Sequence, residues 1–420
     1  MFNLLKKTKQ NNPNKAIFWL GLWCITLQCT SDAPTTPIPS ETIALTLLQS
    51  FPIEKPTKKK VKRTGIAKYA EKLPLTYNKT NLANFSLPHI SQQLSFALEQ
   101  QLVLLKRRKQ NYAQDFDNLS LTLTDLETTI KLLLLWQQTF PQGLEEHLNA
   151  YQLKGEDGKG NVKFTGYFTP EINVSKEKVG AYKYPIYAFP EDWEGVLPTR
   201  EEIDGEQHVL DGKGLEIAYA QRLEDIYYMQ LQGSGLVKYR NGKNAYLGFA
   251  ASNRHPYSSI EKYIKDNEAI RLKNISIKGI KNYFKHNPDK VEPILFTNPS
   301  YVFFEESNKN PLGAGHVPLT EDYSIAVDIR HLPLGSCLLA ALPVIDDEGY
   351  FSHHEYKIVV AQDVGGVIRG NGHVDVYCGV GAEGQRKASA LHHYGQLWLL
   401  LPKASNEVGP VFSTGAWVEK

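Results

Sequence analysis

Between Gln362 and Tyr394 the chain reads QDVGGVIRGNGHVDVYCGVGAEGQRKASALHHY, and this stretch limits the fold more than any other. An apolar run, Ile358 to Ala361, ends at Asp363. Gly365, Gly366, Gly370 and Gly372 follow, and Asp375 then sits inside a short strand-like segment. At a period of two, Val374, Val376 and Cys378 share one face, while His373, Asp375 and Tyr377 share the other. Glycine beside such a strand lets backbone approach backbone or ligand closely. A carboxylate and an aromatic ring on one strand face suit a polar groove that binds sugar. A buried aspartate that accepts turn amides is the plainer reading of the same pattern.

A third aspartate closes Ser324-Ile325-Ala326-Val327-Asp328, ahead of Leu332-Pro333-Leu334-Gly335. The three aspartates in AVD…PLG, QDVGG and GHVDVYCG resemble the three-aspartate domain of the membrane-bound lytic murein transglycosylase A family. The resemblance runs from about residue 86 to 420. Ser86-Leu87-Pro88-His89, Asn161 to Pro170 (NVKFTGYFTP), Tyr184-Pro185-Ile186-Tyr187, Met229 to Gly235 (MQLQGSG) and Asn298 to Phe304 (NPSYVFF) follow in the family's order. Ala388 to Tyr394 aligns loosely, where the family is more aromatic.

The chain has 420 residues, enough for two or three domains, with 42% hydrophobic and 22% charged residues. Its formal net charge is +2, of which Lys6, Lys7, Lys9 and Lys15 supply four positive charges. Without that segment the charge is a formal −2, which is no nucleic-acid signature. The basic segment Lys6 to Lys15 and the apolar stretch Ala16 to Leu27 resemble an export signal, too short to favour a spanning helix. Cys29 follows at the place where bacterial lipoproteins are lipidated, although Gln28 stands where a small residue is usual. An uncleaved anchor and a plain secretory signal are the alternatives.

Residues 1–29 are thus expected to be a signal or lipoprotein segment, and 30–85 a basic flexible linker rich in Pro, Thr and Lys. Ile90, Leu94, Ala97, Leu98 and Leu105 predict a helix, and Thr124-Asp125-Leu126-Glu127 reads as a capping box that starts a second. Val162 to Phe168, Ile217 to Ala220, Ile226 to Leu231 and Val302 to Phe304 read as strands, with a helical interlude over about Ser258 to Lys285. Short strands and frequent Gly/Pro turns favour barrels over a parallel α/β sheet. The expected class is mainly β with peripheral helices. The resemblance implies a double-psi β-barrel domain, 86–173 and 309–420, interrupted by a smaller β-barrel-like domain, 174–308, with the substrate groove between them.

Lytic transglycosylation needs one acid/base, because the C6 hydroxyl of N-acetylmuramic acid attacks its own C1. The resemblance implies Asp375 in that role, with a raised pKa. Asp363 is the candidate negative neighbour or loop anchor, and Asp328 a candidate organiser of barrel turns. Tyr167 and Tyr377 are expected to offer ring faces to sugars, Thr169, Gln232 and Ser234 to offer hydrogen bonds, and Gly233 with Gly235 to mark a turn at the groove floor. Phosphate-loop, CxxC and HExxH patterns do not occur, so neither cofactor nor metal is expected. The expected partners are peptidoglycan glycan strands and a membrane reached through a lipid anchor, with no nucleic acid. A monomer in the periplasm, on the outer membrane, is expected, with cell-wall synthesis or division complexes as candidate partners. Cys337 and Cys378 can be free thiols or a disulfide. A two-carboxylate hydrolase and a non-catalytic wall-binding lipoprotein fit the same residues.

Overall fold

Six strands close into a ring in this computed structural model, which describes residues 79–108, 113–116, 119–139, 143–272, 275–307, 310–346 and 348–404. The expected signal segment, Cys29 and nearly all of the 30–85 linker lie outside the described residues.

In chain order the elements begin with β1 (Lys79–Thr80), α1 (Gln92–Lys106), β2 (Ala113–Phe116), β3 (Leu119–Thr122), α2 (Leu123–Thr139), α3 (Leu144–His147), β4 (Leu148–Gln152), β5 (Val162–Thr169) and β6 (Glu171–Ser175). They continue with β7 (Tyr184–Tyr187), α4 (Arg200–Asp204), β8 (Glu216–Ala220), α5 (Leu223–Gln232), β9 (Gly235–Tyr239), β10 (Asn244–Ser252), α6 (Ile260–Asp266), α7 (Ile277–His286), α8 (Val291–Leu295) and β11 (Val302–Ser307). The last are β12 (Ser324–Val327), β13 (Cys337–Ile345), β14 (Phe351–Val364), β15 (His373–Val380), α9 (Gly381–Ala390) and β16 (His392–Pro402).

The ring runs β16-β13-β14-β12-β15-β5 and returns from β5 to β16, with β4 and β1 added beyond β16. Closure removes the exposed edges that an open sheet of this length would carry. Two of its pairings, β12 with β14 and β15 with β5, are parallel; the others are antiparallel. Val162, Phe164, Ile325, Val327, Val359, Val374, Val376 and Leu399 fill its interior. A second sheet, β11-β10-β9-β6-β8-β7, has its own apolar cluster around Val174, Ile186, Ile226, Met229 and Val237. The chain crosses from the first sheet to the second at Pro170, between β5 and β6, and re-enters the first at β12. Gly166 permits α9 to lie against β5, because a Cβ there would strike the backbone of Ala388 and the Cys378 sulfur.

The helices cover the ring. Ser91 caps α1 by accepting from Leu94 N at 3.1 Å, and Leu94, Ala97, Leu98, Leu104 and Leu105 face inward. Gln101 on the same face donates to the carbonyls of Ser336 (3.1 Å) and Ala361 (3.3 Å), and Gln362 returns a bond to Ala97 O (3.1 Å). The capping box of α2 lies two residues ahead of the expected one. Thr122 Oγ1 accepts from Asp125 N, and Asp125 Oδ2 accepts from Thr122 N at 2.9 Å. Both threonines start a box pattern; the one that also ends β3 takes the cap.

The stretch Ile226 to Leu231, expected as a strand, is helix α5. Leu223, Ile226, Tyr227, Tyr228, Met229 and Gln230 are all buried, and a segment buried on every side loses the periodicity that separates helix from strand. Gly233, at φ 76°, ends it as the left-handed cap residue. The helical interlude after Ser258 is two helices, α6 and α7. Cys337 and Cys378 are free and buried, and burial pushes both thiols up. Among the described residues no helix is long and apolar enough to cross a membrane.

Candidate active site

The parallel and antiparallel pairings of β12 create a row of side chains across the ring. Ala326 on β12 is in register with Asp363 on β14 and, on its other side, with Asp375 on β15. Asp375 is in register with Thr165 on β5, and Thr165 with His392 on β16. Partners in register point to the same face, so two carboxylates flank one small alanine. Two strand spacings separate their backbones by roughly 10 Å.

Asp363 is held on both oxygens. Its Oδ1 accepts from Ala314 N (2.8 Å) and from Val364 N (2.8 Å), and its Oδ2 accepts from the Tyr167 hydroxyl (2.8 Å). Burial raises its pKa, and these three donors oppose the rise by favouring the ionised form. Among the described residues Asp375 is held on one oxygen only: Thr165 Oγ1 donates to its Oδ1 at 2.8 Å. Burial pushes Asp375 up to about 6; Thr165 pulls down, the negative charge of Asp363 pushes up, and Lys163 pulls down. A carboxyl group with that value is protonated often enough near neutrality to act as a general acid.

Asp328 stands apart from this pair. Arg330 donates Nε and Nη2 to its two oxygens (2.8 and 2.6 Å), and the amides of Arg330 and Gly370 donate as well (3.1 and 2.8 Å). The Arg330 guanidinium, ahead of the two amides, holds its carboxyl well below the usual carboxylate range. Asp328 thereby ties down the loop that leads from Asp363 to Asp375.

Four of the expected sugar contacts are inside the protein. The rings of Tyr167 and Tyr377 pack on each other at 5.3 Å, against Leu319 and Ala326, so neither presents a free ring face. Their hydroxyls explain why: Tyr167 is bonded to Asp363, and Tyr377 to Thr169 Oγ1 at 2.9 Å. Thr169 is buried and lies 3.2 Å from the buried Ser234 hydroxyl. These hydroxyls bind one another across the junction of β5 and α5. Gln232 is half-buried, and its Oε1 accepts from Phe168 N at 2.9 Å. Gly233 is half-buried as well, whereas Gly235 is packed where a Cβ would collide with the Met229 sulfur.

Thr165 and His373 belong to the site although neither was singled out as a functional residue. His373 Nε2 lies 2.8 Å from Thr165 Oγ1. Sharing a strand face with Asp375 was the available signal for His373; nothing local to VKFTGYF marks Thr165. Among the described residues no cluster of three or more His, Cys, Asp or Glu side chains could hold a metal ion.

Closed ring, inserted sheet and carboxylate row define a class of three-aspartate barrel proteins. Residues 163–305 match the family model of the MltA specific insert domain, and residues 323–401 match that of the 3D domain. The chain is 37% identical over 270 residues to membrane-bound lytic murein transglycosylase A of Escherichia coli strain K12, covering 63% of this chain and 72% of that protein. It is 38% identical over 260 residues to the homolog from Buchnera aphidicola subsp. Schizaphis graminum, covering 60% and 70%. The crystal structure of E. coli MltA with bound chitohexaose superposes with a TM-score of 0.66 at 29% identity, over 83% of this chain and 99% of that one. MltA from Neisseria gonorrhoeae gives 0.63 at 26%, over 77% and 92%. The chain belongs to the membrane-bound lytic murein transglycosylase A family.

Proposed function

We propose that this protein is a lytic transglycosylase that cleaves the β-1,4 bond between N-acetylmuramic acid and N-acetylglucosamine in peptidoglycan, with Asp375 as its single acid/base. The observation that carries this reading is the unequal pair: Asp375 raised to about 6 beside an Asp363 held on both oxygens. Protonated Asp375 gives its proton to the departing O4. The C6 hydroxyl attacks C1 and returns a proton to the same carboxylate, which leaves a 1,6-anhydro end and consumes no water. High effective concentration replaces a separate nucleophile.

Burial, with the negative charge of Asp363 adding to it, keeps Asp375 protonated. Asp363 is poorly suited to activate water, since its three hydrogen bonds occupy both oxygens. That disfavours the two-carboxylate hydrolase. The ring strands with α1 and α2 would form the catalytic body, residues 86–173 and 309–420. The inserted sheet, 174–308, would form the opposite wall of a groove that receives the glycan strand. Gln232 and Gly233, where α5 meets β5, remain candidates for sugar contact. Binding of chitohexaose by the E. coli relative supports an elongated polysaccharide ligand. Lipidation at Cys29 would hold the protein at the outer membrane, facing the periplasm, and mass spectrometry of the mature N-terminus tests it.

Incubation of the purified protein with peptidoglycan sacculi, followed by mass spectrometry of released muropeptides, tests the activity. The expected products are 1,6-anhydro species, one water lighter than hydrolytic ones, and absent with Asp375→Asn. Reducing-end products would sink the mechanism in favour of a hydrolase. Binding without release would leave a wall-binding protein.

A further inference from the structure

We infer that His373 is a positioning residue that acts through Thr165 to fix which oxygen of Asp375 carries the transferable proton. The inference rests on the acid role proposed for Asp375.

The Thr165 hydroxyl has one hydrogen, and its oxygen lies 2.8 Å from both Asp375 Oδ1 and His373 Nε2. An ionised Asp375 can only accept, so Thr165 donates to Oδ1. The bond between Thr165 and His373 then needs its hydrogen from the ring, which assigns the Nε2–H tautomer to a neutral His373. Burial, ahead of the Lys163 charge, pushes His373 down to about 4 and keeps it neutral. The ordered chain His373→Thr165→Asp375 makes Oδ1 an acceptor and leaves Oδ2 to take the proton. Among the described residues Oδ2 has no hydrogen-bond partner, so that proton is available to a leaving oxygen.

The opposite direction of the chain would place the proton on Oδ1, donated to Thr165 and withheld from substrate. Both directions use the same heavy atoms, and the histidine tautomer selects between them. The reaction returns the proton to Asp375, so no net transfer along the chain is required; its work is orientation. The charged groups that act on this chain are Asp363 on β14 and Lys163 on β5, with Glu156 and His392 (on β16) acting on His373.

A double-mutant cycle on glycan-strand cleavage tests this. His373→Leu and Thr165→Val should each lower kcat about tenfold with KM unchanged, the scale of one charge-assisted hydrogen bond. The double variant should lose no more than either single one. His373→Gln, which can still donate an N–H, and Thr165→Ser should retain most activity. The pH above which kcat/KM falls should move upward in Thr165→Val, because the lost donor had favoured the Asp375 carboxylate. Additive losses, an unchanged kcat in His373→Leu, or a His373→Gln variant as poor as His373→Leu would overturn the inference. Asp375→Asn is measured alongside. Its turnover would overturn the acid assignment and this inference together, whereas an inactive Asp375→Asn with an additive cycle would overturn this inference alone.

Discussion

Asp375 and Asp328 sit on the same barrel and are driven in opposite directions. Asp328 receives a guanidinium and two backbone amides, so its carboxylate is locked in the ionised form. Burial lifts Asp375 to about 6; it receives one hydroxyl, which opposes the rise, and faces another carboxylate, which adds to it. Burial lifts the one carboxyl, and the number and charge of the donors outweigh it at the other; the two together separate a structural aspartate from an acid. Asp363 is intermediate: buried, saturated with neutral donors, and next to the group it perturbs.

The comparison breaks most visibly at Asp375. Replacement by Asn should lower turnover by about a thousandfold or more, the scale of a general acid, with glycan binding retained. Activity of the natural protein should fall as pH rises through about 6, because the first step requires the protonated form. Muropeptide release followed from pH 4.5 to 8 would check both, and a flat profile would refute the acid assignment.

Asp363→Asn should have the next largest effect. Loss of the neighbouring negative charge lets the Asp375 pKa fall toward its ordinary value, so the decline moves to lower pH. At pH 7 the rate should drop about tenfold, the equivalent of a displacement by one pH unit. At pH 5 the variant should approach the natural rate. A loss that is the same at every pH would mean that Asp363 only anchors its loop.

Much of this contrast was legible in the sequence, and the rest was not for identifiable reasons. The three aspartates stand out because each ends or interrupts an apolar run, and strands such as β5, β8 and β11 announce themselves locally. Register is non-local. That Asp363 and Asp375 flank Ala326 depends on β12 pairing in parallel with one strand and antiparallel with another, which no local pattern encodes. The packing of the tyrosines is not legible locally, because an aromatic ring with a hydroxyl suits a sugar platform and a buried hydrogen-bonded core equally well. Only the positions of Asp363 and Thr169 decide between the two for Tyr167 and Tyr377. Helix α5 was misread because it is buried on every side.

The smallest effect, and the sharpest test of the contrast, belongs to Asp328. Asp328→Ala removes the acceptor for the amides of Arg330 and Gly370 and for the Arg330 side chain. Arg330 is 63% exposed, so water solvates the guanidinium that is left behind. The cost should therefore be that of lost charge-assisted bonds on a partly screened site, about 2 kcal/mol in urea unfolding at pH 7. The folded-state pKa of Asp328 is depressed, so its contribution is present above the unfolded carboxylate value, near 4, and is lost as pH falls through the lower folded value. The gap between natural protein and variant should accordingly be full at pH 7 and narrow below pH 4. Turnover per folded molecule should change only a few-fold, because the loop between Asp363 and Asp375 loses one tether while both carboxylates keep their own partners. A loss of turnover as deep as that of Asp375→Asn, at unchanged stability, would place Asp328 in the chemistry and erase the distinction between the two aspartates.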